Sequence, residues 1–102
     1  MRREDIDWQS GKVVFWELEF LDLARPLTEQ LDELKEDLAQ IEYPGERVLD
    51  IGWYPSFSEE GQFVVRVVAT SDWDTPLYLH STSDAKELTD CLPRAIAAAV
   101  AS

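Results

Sequence analysis

Four leucines and an isoleucine, Leu27, Leu31, Leu34, Leu38 and Ile41, recur at spacings of four and three, the interval that returns side chains to one face of an α-helix. Pro26 stands where its fixed dihedral suits a first helical turn, and Pro44-Gly45 supplies a stop, so the pattern predicts an amphipathic helix from Leu27 to Ile41. Upstream, Trp16-Glu17-Leu18-Glu19-Phe20 alternates apolar with acidic. With Val13, Val14 and Phe15 it reads as a strand with one buried face, although Val13, Trp16, Phe20 and Leu23 also fit a helical stripe. Downstream, Val48 to Tyr54 places Leu49, Ile51 and Trp53 on one side and Asp50, Gly52 and Tyr54 on the other. Phe63 to Ala69 is rich in β-branched valine, and Ser58-Glu59-Glu60-Gly61 between the two predicts a hairpin. A short strand, Leu77 to Ser81, follows. Asp84 with Glu87 has the spacing of a capping box, and Leu88, Leu92, Ala95, Ile96 and Ala99 give a closing helix its apolar face, kinked at Pro93. The order is β-α-β-β-β-α. It predicts a single α+β domain over residues 1–102, a sandwich of a mostly antiparallel four-stranded sheet with two helices on one face.

Charge changes this picture most. Twenty-one acidic residues against nine basic ones give a net charge of -12. That argues against nucleic acid or an anionic membrane as partner, since phosphate contacts need Lys and Arg, and it favours a basic protein. At 11.7 kDa the scaling of surface with mass predicts roughly 5,900 Å² of folded surface, with about 65% of the open chain's surface buried. One cysteine, Cys91, and one histidine, His80, provide neither an internal disulfide nor a Cys/His metal site, and no cofactor motif occurs. The start lacks the apolar stretch of a secretion signal, and the longest apolar run, Ala95 to Ala101, is far short of the ~20 residues that span a bilayer. These features point to the cytoplasm.

The predicted first helix turns its leucines one way and Glu29, Asp32, Glu33 and Glu36 the other. Like-charge neighbours three or four apart along such a face each cost about 0.2 to 0.5 kcal/mol, so the stripe either is simply a solvated face or docks on a basic surface. A second candidate is the sheet face away from the helices, to which the assigned alternation brings Phe15, Glu17, Tyr54, Val64, Arg66, Val68, Tyr78 and His80. The segment carrying Trp8, a second copy in a homodimer, or a partner or small ligand could cover it. In the loop Asp72-Trp73-Asp74, Trp73 is either an anchor over the core edge or an interface residue flanked by acids; a calcium loop would need an acid at Ser83. His80 has the titration range of a general base, but neither Ser81, Ser83 nor Cys91 stands in a nucleophile's setting, so no catalytic set is expected.

A chain of this size and acidity, with Glu29, Asp32, Glu33 and Glu36 and with Asp72-Trp73-Asp74, resembles the immunity proteins of bacterial toxin systems, including those of contact-dependent inhibition. The resemblance implies a stoichiometric inhibitor of a cognate toxin, often a basic nuclease, with carboxylates standing in for phosphates and Tyr54 or Trp73 as a desolvated anchor. The other expectation, from the residues alone, is a ligand-binding or regulatory domain that uses the open sheet face.

Overall fold

The computed structural model describes residues 1–101. Its sheet has five strands, β1 (Lys12–Trp16), β2 (Ala39–Tyr43), β3 (Arg47–Tyr54), β4 (Gln62–Ala69) and β5 (Tyr78–Thr82), and the chain ends in one helix, α1 (Ala85–Val100). The strands lie in chain order and every neighbouring pair is antiparallel. The accessible surface is 5828 Å², close to the expectation from mass.

The largest departure from the sequence reading is the helix expected from Leu27 to Ile41. Two short 3-10 turns, Leu27–Glu29 and Leu31–Glu33, stand there, and β2 begins at Ala39. The apolar spacing serves both forms, because Leu38 and Ile41 fit a helical stripe while Ala39, Ile41 and Tyr43 bury alternately, with Glu42 exposed between them. Tertiary structure decides between them. A helix would leave β1 and β3 without the strand that joins them, and would align five like-charge pairs of neighbouring acids along one face. The turns are held instead by the Gln30 amide, which accepts from the Asp22 N–H at 2.8 Å and donates to the Asp22 carbonyl at 2.9 Å. Among the described residues the sheet therefore has five strands and the fold one α-helix, so the expected four strands and two helices are corrected while the α+β class stands. Pro44-Gly45, read as a helix stop, is the β2–β3 turn, where Gly45 and Glu46 both take positive φ. Residues 18–20, placed in the first strand by alternation, form another 3-10 turn.

Between the turns and β2, residues 34–38 lie along the end of β3. The Trp53 N–H donates to the Lys35 carbonyl at 2.8 Å, and the Leu38 N–H donates to the Ile51 carbonyl at 2.9 Å. The chain bows out between these bonds, and the Glu36 carbonyl presses on Gly52 where a β-carbon would sit. Only a glycine at position 52 permits that approach.

One face of the sheet carries the core: Ala39 and Ile41 of β2, Leu49, Ile51 and Trp53 of β3, Phe63, Val65 and Val67 of β4. Helix α1 packs across β3, β4 and β5 with Leu88, Cys91, Leu92, Ala95, Ile96 and Ala99. Asp84 caps it by accepting from the Lys86 N–H at 2.8 Å. Glu87 does not complete the expected capping box. It takes the Thr82 hydroxyl, and that hydroxyl in turn accepts from the Asp84 N–H at 3.0 Å. The helix runs on through Pro93, and the Arg47 guanidinium bonds the Ala99 carbonyl at 3.2 Å, placing positive charge at the C-terminal end. Trp8, Leu18, Leu21 and Leu34 close the rest of the core, with Trp8 edge-on to Trp16 at 5.7 Å. The Trp8 segment thus joins the core and does not cover the opposite face of the sheet.

Gly52→Ala is expected to cost about 2 to 4 kcal/mol in denaturant unfolding, because its methyl group meets a backbone carbonyl that cannot swing away. Gly45→Ala, with open space around it and only an unfavourable positive φ, is expected to cost about 1 kcal/mol. Equal costs at the two positions would contradict the close approach at Gly52.

Candidate functional site

Without a helix, the four acids foreseen on one helical face divide between two surfaces. Glu29, Asp32 and Glu33 line an open depression of about 450 Å³ together with Phe20, Arg25, Thr28, Gln30 and Leu31. Its aromatic wall is Phe20, 59% exposed, and its base Arg25 pairs with Glu29 at 3.5 Å. Glu36 belongs elsewhere. Its backbone crosses Gly52, and its charge acts on Tyr54.

Tyr54 stands on the sheet face away from α1, where its ring lies over Gly52. Beside it, the Arg66 guanidinium sits between two rings, 5.9 Å from the Tyr54 centroid and 5.6 Å from that of Trp73. A planar cation stacked in this way loses little freedom and is attracted by both ring faces. Trp73 reaches this position because Asp72 folds its loop, accepting from the Thr75 N–H at 3.3 Å and from the Thr75 hydroxyl. That hydroxyl bond holds the Asp72 carboxyl below the ordinary carboxylate range. Asp74 is exposed, and Trp73, 43% exposed, turns onto the sheet between the two acids. Trp73 thus fastens its loop to Arg66 on the face opposite the core, not over the core edge, and stays part-exposed there.

Directly across from Arg66 on β3 is Asp50, 4% exposed. Its carboxylate accepts from the Gln40 side-chain amide at 3.1 Å, while the Arg66 Nε is buried with no hydrogen-bond partner. Burial pushes the Asp50 carboxyl above its ordinary value, against the lowering effects of Gln40 and Arg66. Burial also raises the Tyr54 phenol, followed by the charge of Asp50.

Two residues expected on this face are not there. Tyr78 pairs with Val67 and His80 with Val65, so both share the helix side of the sheet; a shift of one residue in a strand read after a loop moves every side chain across. Among the described residues His80 makes no hydrogen bond or ion pair with an acid, and Cys91 is buried against α1's own turn, its thiol raised by burial. Glu17 lies beyond β1 and pairs with Lys35 at 3.3 Å. Phe15 does face away from the core, paired with Gln40. Sequence reasoning missed Phe20 and Gln40 as site residues, and it placed Arg66 on this face without seeing that it stands across from a buried acid, the pair being Asp50 and Arg66. The available signal for the last two was a charge in the middle of an apolar strand.

Among the described residues no three His, Cys, Asp or Glu side chains are grouped to hold a metal ion, and no helix is long and apolar enough to cross a membrane. Comparison with protein families, with characterised proteins and with solved structures finds no match to this chain. Geometry and charge therefore carry the functional argument.

The raised Asp50 carboxyl has a definite consequence for stability. The folded state holds that proton more tightly than the unfolded chain, so the group favours folding below pH 3.8 and loses that contribution as pH rises through its folded value. Asp50→Asn keeps an acceptor for Gln40 and does not titrate. Measured by denaturant unfolding from about pH 3 to about pH 7, its stability relative to the native chain should climb and then level off. A flat or falling difference contradicts the buried carboxylate.

Proposed function

We propose that this protein is an acidic binding module that neutralises a basic protein, in the manner of an immunity protein facing a toxin, and that it acts by binding, without catalysis or cofactor. The observation that carries the reading is the depression lined by Glu29, Asp32, Glu33 and the exposed ring of Phe20, in which Arg25 pairs with Glu29 and leaves Asp32 and Glu33 beside it. Carboxylates around an aromatic face suit a lysine or arginine side chain, which gains from both the charges and the ring. The net charge of -12 adds long-range attraction that speeds encounter with a cationic surface. Tyr54 and Trp73, with Asp72 and Asp74 beside the latter, form a second contact region on the open sheet face.

That face also supports a second reading, a small-ligand or homodimer surface, because the Arg66 guanidinium held by Tyr54 and Trp73 is the kind of rigid group a ligand can use. Replacing Tyr54 and Trp73 would abolish that activity while leaving acid-dependent binding in place.

The first reading is tested by affinity capture from the native host at low salt, followed by association kinetics with the recovered partner. A basic protein should bind in equimolar amount, with an association rate that falls as ionic strength rises. The combined Glu29→Gln, Asp32→Asn and Glu33→Gln variant should associate about tenfold more slowly while its melting temperature stays near that of the native chain, since all three acids lie on the surface loop. Recovery of no basic partner, or a rate indifferent to salt and to these substitutions, overturns the proposal.

A further inference from the structure

The two edges of the sheet are unlike. At β1, Lys12 opens the strand, a bulge interrupts the register between Val13 and Phe15, and Arg3 and Glu4 crowd a depression alongside Val13 to Trp16. Charge, bulge and cover are the features that keep an edge strand from accepting another chain. At β5 all three are missing. Tyr78–Thr82 contains no charged residue and no proline, and it pairs with β4 in unbroken register from Tyr78 to Thr82. Among the described residues no backbone group of this strand bonds to any segment beyond the β4 side. Leu77 and Leu79 are 50% and 57% exposed, and Leu79 lies directly across from Arg66, which carries Trp73.

Charge is concentrated at the two ends of this neutral strand. Asp72 and Asp74 precede it, and Asp84 and Glu87 follow it. Of the bases near the strand, Lys86 is engaged with Asp90 at 3.5 Å, Arg66 is held at the rings of Tyr54 and Trp73, and Arg94 acts on Tyr78 from the helix side, away from the strand's two ends. We propose that β5 receives an extended segment of the basic partner as a sixth strand, its apolar side chains against Leu79 and Trp73 and its lysines or arginines against the acids at either end. This rests on the basic-partner reading and adds to it the mode of attachment, in which backbone bonds give affinity and alternate side chains give selectivity. A second copy of the chain fits poorly. Antiparallel pairing of β5 with itself sets Asp72 and Asp74 of one copy against Asp84 and Glu87 of the other, at both ends of the new ladder.

The probe is a capped peptide of alternating valine and threonine with lysines at both ends, compared with the same centre flanked by glutamates. Hydrogen exchange of the amides in Tyr78–Thr82 should slow about tenfold with the first peptide and stay unchanged with the second. Leu79→Asp is the decisive variant, since its side chain is solvent-exposed and its added carboxylate would strengthen a purely electrostatic contact. Strand addition predicts that it weakens the lysine peptide about tenfold and that Leu79→Val does not. Binding of the lysine peptide without protection of β5, or binding strengthened by Leu79→Asp, overturns the strand addition and leaves a basic partner at the acidic depression intact. Protection of β5 that grows with protein concentration in the absence of peptide overturns it in favour of a second copy. Failure of low-salt capture is a separate result that removes the basic partner itself.

Discussion

The backbone bonds that hold residues 34–38 against β3 decide the architecture. With the Trp53 N–H on the Lys35 carbonyl and the Leu38 N–H on the Ile51 carbonyl, the chain enters β2 already in register, and β2 can then receive β1 on its other side. The contact depends on Gly52, because the Glu36 carbonyl occupies the space that any side chain at that position would need. Phe57 extends the same attachment by donating its N–H to the Leu34 carbonyl at 2.7 Å, tying the β3–β4 connection to the segment that precedes β2. The hairpin of β3 and β4 is thus the platform on which the first half of the chain is laid.

This dependence explains what could be read from sequence and what could not. Leu88, Leu92, Ala95, Ile96 and Ala99 belong to a helix that begins at Asp84, and Leu49, Ile51 and Trp53 alternate into the core of a hairpin; in both, local spacing and tertiary packing ask for the same conformation. In Leu27 to Ile41 they ask for different ones. Spacings of four and three describe a helix, but the bonds that prevail come from Ile51 and Trp53, well downstream, and from the Gln30 amide clasping Asp22. Asp22, Ile51 and Trp53 all lie outside the stretch from which the helical period is read. The misplacing of Tyr78 and His80 is of a different kind, since the strand itself was recognised and only its parity was wrong after a loop of uncertain length. Of the acidic stripe, Glu29, Asp32 and Glu33 remain neighbours because consecutive 3-10 turns still bring them round one depression, whereas Glu36 passes to the opposite side of the chain's path.

The sheet face away from α1 shows how a strongly acidic chain can keep a cation ordered. Arg66 makes no ion pair within 4 Å among the described residues, although Asp50 stands directly across from it. Its position is set by Tyr54 and Trp73, and Asp50 is satisfied by Gln40. Arg66 and Asp50 therefore influence each other through space while each is held by a neutral partner.

The charge and the unguarded edge bear on one another. An uncharged strand with exposed leucines at the border of a sheet invites pairing with any extended chain, including other copies of the same protein. Two molecules carrying -12 each repel before their edges meet, and the acids at both ends of β5 keep that repulsion close, within the ~8 Å over which charge acts at physiological ionic strength. The repulsion is selective by sign, so a cationic segment is drawn to the same ends that turn an identical copy away. If β5 receives a cationic strand as proposed, solubility and recognition, the two explanations for the acidic composition, call for the same placement of carboxylates around it.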